Sequence, residues 1–154
     1  MKAWYFSNTD RTLRHGDGRI IEAGTTHRVE GDLELCNSGL HASTNILDAL
    51  RYAPGPVVWR VEVRGEIIRG RDKLCASERT YLWGYDASDV LRKFARMCAL
   101  DVVHLWDAPD VVVRYLKTGD ESLRDAARAA ARDAAREKQS RRLSTMITGN
   151  RREK

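Results

Sequence analysis

The feature that most constrains the fold of this chain is a change in the spacing of its apolar residues near residue 86. Before that point, Val57–Arg64 alternates apolar and charged side chains, the period of a strand with one buried face. After it, apolar residues recur every three or four positions, as on the buried side of a helix. The pattern predicts an α+β protein, in which a small, mainly antiparallel sheet with one short helix is followed by a helical C-terminal half.

The 154 residues are enough for one domain with an appendage. We predict a β-rich domain over residues 1–85. A helical region over residues 86–148 should pack on it or project from it. Residues 149–154 are expected to be a frayed tail.

Within the first domain, Lys2–Phe6 predicts a short strand and residues 73–83 another with an irregular middle. Asp17-Gly18 supplies the left-handed positions of a tight turn, so residues 13–21 are predicted to form a hairpin. Gly65 is expected to mark a bulge after the central strand.

One short helix is predicted between these strands. Ser43 or Thr44 can cap it, and its buried side would carry Ile46, Leu47 and Leu50, with Ala49 as a further candidate. It should end by Ala53, because the proline that follows disfavours helical geometry in the residue before it.

Three helices are predicted in the second half. The first carries an apolar stripe from Val90 to Leu105, and the second starts at Pro109 with Asp107 as its cap. The third spans about residues 121–146, and its small-residue face runs from Ala127 to Ala135. That face permits close packing, either within the chain or with a second copy of it, so a homo-oligomer is one expectation.

The net charge of +5 is concentrated at the C-terminal end. Residues 1–119 hold 17 basic and 16 acidic side chains, whereas residues 120–154 hold 10 and 6. Arginines recur every four residues along the third predicted helix and form a ridge. We predict the following binding residues for nucleic-acid phosphates or an acidic protein surface: Arg124, Arg128, Arg132, Arg136, Arg141 and Arg142. A solvated helix face is the alternative interpretation.

Cysteine and histidine patterns exclude several classes of site. Cys36, Cys75 and Cys98 are odd in number and widely spaced, which predicts reduced core thiols in a cytoplasmic protein. The histidines show no metal-binding spacing, and no phosphate-binding loop motif occurs. No membrane-spanning stretch is expected either.

Four segments of the chain resemble an uncharacterised family of bacteriophage and prophage proteins. They are residues 35–43 (LCNSGLHAS), 47–55 (LDALRYAPG) and 61–67 (VEVRGEI), followed by Asp72-Lys73. The resemblance covers about residues 2–82. It implies a setting inside a bacterial host cell and no catalytic residues.

Two shorter segments are similar to the NAD-binding elements of ADP-ribosyltransferases. Residues 13–17 (LRHGD) resemble the first NAD-binding strand, and residues 39–43 with Ala49 and Tyr52 resemble the second strand and its helix. The resemblance implies a possible pocket, with Glu62, Glu66 or Glu78 as the carboxylate. Its named members are His15, His41, Ser43, Tyr52 and Glu78. NAD would be the cofactor of such an enzyme, and no cofactor is expected otherwise.

His41 is the sharpest single candidate, because it lies between Gly39 and a helix start. We favour a structural role, in which the ring hydrogen-bonds to a backbone carbonyl and holds the turn over residues 39–43. A place in an active site is the alternative.

The sequence thus favours a small phage-type accessory protein that acts by binding a host protein or nucleoprotein complex. Inhibition of a bacterial defence system, such as an anti-CRISPR activity, is the role that the family setting suggests. An ADP-ribosyltransferase-like enzyme and a structural or oligomerising module are the alternatives.

Overall fold

In a computed structural model of the chain, which describes residues 1–14 and 17–149 with the helical backbone of residue 150, five strands form one antiparallel sheet. This confirms the predicted α+β class. The strands are β1 (Lys2–Ser7), β2 (Thr26–Arg28), β3 (Leu40–Ala42), β4 (Val57–Arg69) and β5 (Leu74–Asp86).

The sheet has the order β1-β4-β5-β2, and β3 also pairs with β5. The residue that follows β3 returns to the far edge: Trp4 and Ser43 exchange two backbone hydrogen bonds, of 2.7 and 3.0 Å. The sheet therefore curls until β3 meets β1, and the side chains on its inner surface are enclosed.

The central strand is β4, as its alternating sequence predicts. Val57, Trp59, Val61 and Val63 are all buried, and β4 lies between β1 and β5. The register with β5 shifts between Arg64 and Ile67, which confirms the bulge expected at Gly65.

The hairpin predicted over residues 13–21 is confirmed in part, since its two arms pair but form no named strands. An antiparallel bridge joins Thr12 and Ile20, and the backbone N–H of Leu13 donates to the Arg19 carbonyl at 2.9 Å. Residues 15 and 16 of the turn lie outside the described part of the chain. Leu13 and Ile21 are buried in the core, so the segment also covers the sheet.

The short helix α1 spans Ile46–Arg51, and it differs from its prediction in two ways. Its N-cap is Asn45, whose side-chain oxygen accepts the Leu47 N–H at 2.8 Å, because Ser43 is engaged in the bridge to β1. Ile46 and Leu47 are exposed, and Ala49 is the buried residue of the helix.

The chain divides into two units, Met1–Ser88 and Asp89–Lys154, close to the predicted boundary. The second contains α2 (Ser88–Val102), α3 (Asp110–Thr118) and α4 (Arg124–Asn150), with short 3-10 turns at Val103–Leu105 and Glu121–Leu123.

Within the helical unit, α4 packs on α3, where Val112 and Ala127 are buried. Two predictions are corrected. Pro109 itself is the N-cap of α3, and no side chain caps this end. The frayed tail does not begin at residue 149, since Gly149 and Asn150 continue α4; residues 151–154 lie outside the described part of the chain.

The stripe predicted to be buried along the first helix is exposed. Phe94, Met97, Val102 and Leu105 all have at least two-fifths of their surface accessible, and α2 has no buried residue. The amphipathic pattern correctly predicts a helix. It does not specify which other elements, if any, bury the apolar side of that helix.

The cysteine prediction is confirmed in part. Cys75 is a buried free thiol in β5, and burial raises its pKa. Cys36 and Cys98 are exposed rather than in the core, because Cys36 stands in a loop and Cys98 lies on the accessible surface of α2.

Candidate functional site

A pocket of about 650 Å³ lies in the sheet unit, beside β1 and β3. Trp4, Tyr5 and Phe6 of β1 contribute to its lining, and the turn from Gly39 to Ser43 forms one wall. The short α1 contributes Ala49. The pocket is therefore built where the curled sheet brings β3 back to β1.

An arginine is buried at the base of this pocket. Arg79 is 1% exposed, and its guanidinium lies 3.8 Å from the centre of the Tyr5 ring and 5.1 Å from that of Tyr81. It donates two hydrogen bonds to the Tyr81 hydroxyl, at 2.7 and 3.1 Å, and one to the His41 carbonyl oxygen. Among the described residues no carboxylate lies within ion-pair distance of it.

The Tyr81 hydroxyl links this arginine to a buried histidine. Burial raises the pKa of Tyr81, although Arg79 opposes that rise. The hydroxyl therefore keeps its proton and can donate it to Nδ1 of His27, 3.1 Å away, while it accepts from Arg79. The three side chains form one hydrogen-bonded chain across β2 and β5.

Burial also lowers the pKa of His27, and the positive charges of Arg19 and Arg79 add to that effect. A cation at this position would be desolvated beside two arginines. The ring is thus neutral in the folded protein, in the form that accepts the Tyr81 hydrogen bond.

This histidine should make the sheet unit less stable in acid. In the unfolded chain an ordinary histidine takes up a proton below about pH 6.5, whereas the folded protein resists it. Stability is therefore complete above that pH and is lost as the pH falls towards the lowered pKa of His27, by at most about 1.4 kcal/mol per pH unit.

Urea unfolding between about pH 7.5 and pH 5.5 checks this expectation. His27→Gln keeps a polar side chain near Tyr81 but does not titrate, so its free energy of unfolding should fall less over the same interval. Equal pH slopes for the parent and the variant would contradict it.

The opposite rim of the pocket carries a second polar cluster. The Lys73 ammonium lies 4.5 Å from the centre of the Tyr52 ring, and a hydrogen bond with the Cys36 side chain raises the pKa of this lysine. The Tyr52 hydroxyl donates to the Asp72 carboxylate at 2.7 Å, which raises the pKa of the tyrosine and lowers that of the aspartate. Lys73 is therefore held at the pocket edge as a cation.

The structure brings three of the five predicted pocket residues together: His41, Ser43 and Tyr52 all line the pocket. Glu78 does not, because it faces β2 and pairs with Arg28 at 3.1 Å. His15 lies outside the described residues.

The ring of His41 is held by the backbone, as the structural interpretation expects, but through a different group. Its Nε2 accepts the backbone N–H of Cys36 at 3.0 Å, whereas a bond to a carbonyl was predicted. The side chain is half-buried rather than enclosed. Cys36 has a φ of +72°, so this bond holds a loop residue in the left-handed region that side chains rarely adopt.

Sequence reasoning missed the cations of the pocket, which are Arg14, Lys73 and Arg79. One signal was available for Arg79, since it is two residues from Tyr81 and so shares its side of a strand. Because an irregular middle was predicted for this strand, the sequence did not predict which side of the strand Arg79 shares.

The predicted arginine ridge lies along α4. Arg124 pairs with Glu121 and Arg141 with Glu137, each at 3.3 Å. From Arg128 onward the ridge is exposed on α4. Arg141 also borders a groove of about 590 Å³ inside the helical unit, beside Trp106.

The predicted alanine face is partly used within the chain. Ala127 is buried where α4 packs on α3, and Ala135 is exposed. A second copy would therefore have to use the C-terminal part of this face. Homo-oligomerisation stays a prediction.

Two further searches cover the described residues. No three His, Cys, Asp or Glu side chains there are grouped so that they could hold a metal ion. Among the helices of this part of the chain, none has both the length and the apolar character needed to cross a membrane.

The fold and the pocket define a small α+β domain whose curled antiparallel sheet encloses a positively charged pocket. A family model described as "Domain of unknown function (DUF7666)" matches residues 5–93, more than half of the chain, and the chain belongs to this family. The match includes every described residue of the pocket lining except Trp4, and it excludes α4. Comparison with curated proteins and with solved structures finds no significant match.

Proposed function

We propose that the sheet unit is a binding module whose pocket takes a small anionic ligand of nucleotide size. The charge of the pocket carries this proposal. Among the described residues, three cations line it, Arg14, Lys73 and Arg79, against one lining carboxylate, that of Asp17. The Asp72 carboxylate at the rim is bonded to Tyr52 and lies 3.7 Å from the Arg51 guanidinium. Arg19 already binds that carboxylate through two hydrogen bonds of 2.7 Å and lowers its pKa.

The buried guanidinium supports an anionic ligand on energetic grounds. Removing a cation from water is costly unless an opposite charge or good hydrogen bonds replace the water. Within the described part of the chain, Arg79 has only neutral acceptors and ring faces around it, and the three hydrogen bonds that it donates there use three of its five N–H groups. A ligand carboxylate or phosphate in the pocket would supply the missing negative charge.

The size and lining of the pocket support a small molecule as that ligand. Sites for ligands of this size usually enclose about 300–1,000 Å³ and combine apolar walls with a few polar groups. Here Tyr5 and Tyr52 offer ring surfaces for a planar group, and His41 contributes a polar edge.

The lining favours binding over catalysis. Glu62, Glu66 and Glu78, the carboxylates that the ADP-ribosyltransferase resemblance offers, are not among the described residues that line the pocket. ADP-ribosyltransferase-like activity with NAD therefore stays a prediction of that resemblance.

The wider role also stays a prediction. A phage setting, a host protein or nucleoprotein partner, and the inhibition of a bacterial defence system all rest on the sequence resemblance. The exposed arginine ridge of α4 is compatible with such a partner, but nothing in its geometry selects one.

Calorimetric titration with pyrophosphate, AMP and ADP tests the pocket. We expect saturable binding of at least one of them, and about tenfold weaker binding by Lys73→Met, since a hydrogen bond to a charged group contributes about 1.5–3 kcal/mol. The matched control is Arg71→Met, which removes an exposed cation two residues away that does not line the pocket.

Two outcomes would count against the proposal. One is the absence of binding by all three probes at millimolar concentration. The other is equal weakening by Lys73→Met and Arg71→Met, which would indicate general attraction of anions to a basic protein.

A further inference from the structure

A row of aromatic and basic side chains crosses three strands on the outer face of the sheet. Trp4 in β1 is opposite Arg60 in β4, and Arg60 is opposite Trp83 in β5. Residues directly opposite each other project to the same side. Tyr5 and Trp59, their neighbours along the strands, project to the other side. Together with Tyr85, the row forms what we call the aromatic platform.

The platform presents flat rings and a cation in contact. The Arg60 guanidinium lies 4.5 Å from the centre of the Trp4 ring. Trp83 meets Trp4 edge-on, with centroids 5.9 Å apart, and lies nearly parallel to Tyr85, at 6.3 Å and 20°. Trp83 and Tyr85 each keep 46% of their surface exposed, although large aromatic side chains usually become buried.

We propose that the aromatic platform binds single-stranded nucleic acid, with bases stacked on Trp83 and Tyr85 and Arg60 beside the backbone or a base. Stacking suits exposed, parallel rings, because every base has a flat π-face. The two rings proposed to take the bases, Trp83 and Tyr85, do not line the pocket, whereas Trp4 belongs to both the platform and the pocket lining.

The local and overall charges favour a polyanion as the occupant. Glu62, two residues from Arg60 in β4, is bonded to Arg64 at 2.8 Å, so Arg60 supplies the local positive charge of the platform. The whole chain has a net charge of +5, of which residues 120–154 supply +4. A polyanion is therefore attracted to the protein, and the aromatic platform offers rings on which its bases can stack.

The experiment is fluorescence anisotropy with labelled oligo(dT) and oligo(U) of about 15 nucleotides, at about 50 mM salt. We expect the full chain to bind, with quenching of tryptophan emission, and Trp83→Ala to bind at least about tenfold more weakly. Tyr85→Ala is a second variant, useful if Trp83→Ala does not fold. Leu82→Ala, an exposed residue of the same strand, is the matched control.

The arginine ridge of α4 gives the alternative source of binding, and the variants separate the two. Binding through arginines alone would leave Trp83→Ala and Tyr85→Ala equal to the parent. That result would overturn the proposal, as would the absence of oligonucleotide binding by the parent at this salt concentration. Selective loss in both variants, with Leu82→Ala unchanged, would support it.

Discussion

Replacing Trp59 with alanine should remove most of the stability of the sheet unit, at a cost of ~3–5 kcal/mol. The ring is 1% exposed, and its Nε1 donates a hydrogen bond to the Ser7 hydroxyl at 3.0 Å. It also meets the Tyr81 ring edge-on, with centroids 5.5 Å apart. The substitution would leave a cavity in the middle of the core and a buried hydroxyl without its donor.

Chemical unfolding, followed by far-UV circular dichroism, measures this loss. Small domains have only about 5–15 kcal/mol of stability in total, so the variant should unfold at much lower denaturant. Trp83→Ala is the matched control, because it removes the same side chain from an exposed position of the neighbouring strand. If the two variants unfolded at the same urea concentration, the placement of Trp59 at the centre of the core would be wrong.

The central strand is the element that the sequence predicts best. Its alternation places four large apolar side chains on one side of a strand, and all four are buried: Val57, Trp59, Val61 and Val63. The strand, its bulge and the α+β class follow from this local pattern. The alanine-rich α4 is predicted for a similar reason, since alanine favours a helix in most surroundings.

Elements that depend on distant partners could not be predicted in the same way. Ser43 forms a bridge with Trp4 where the sheet closes, and no local sequence pattern encodes that closure. Because Ser43 is engaged there, Asn45 caps α1 instead. Residues 13–21 pair as the hairpin pattern predicts, but the pattern does not show that Leu13 and Ile21 enter the core of the sheet.

The residues of the candidate site also fall into those that a local pattern predicts and those that depend on distant partners. His41 and Tyr52 could be selected because residue type and a neighbouring helix single them out. The cation that most distinguishes the pocket, Arg79, is enclosed by Tyr5 and Tyr81 from two strands. Its burial depends on the register of β1, β4 and β5, which the sequence alone does not give.

Gly84 should be a position of the sheet at which a very small added group has a large effect. It lies directly opposite Trp59 in the pairing of β4 with β5. A Cβ atom at this position would fall 2.8 Å from Cζ3 of the Trp59 ring and closer still to Cε3 and Cδ2. Because the ring is enclosed on its other sides, it has little room to retreat, and Gly84→Ala should cost about 1–3 kcal/mol through overpacking.

A double-mutant cycle identifies the ring as the cause. Trp59→Phe makes the facing side chain smaller, so Gly84→Ala should cost less in that background, with a coupling free energy of about 0.5–3 kcal/mol. Gly149→Ala is the control, because an added Cβ in α4 meets nothing within 4 Å and alanine favours the helix. Strictly additive losses would show that Gly84 is required for a reason other than contact with Trp59, whereas clear coupling would establish that the glycine and the tryptophan are fitted to each other across the strand pair.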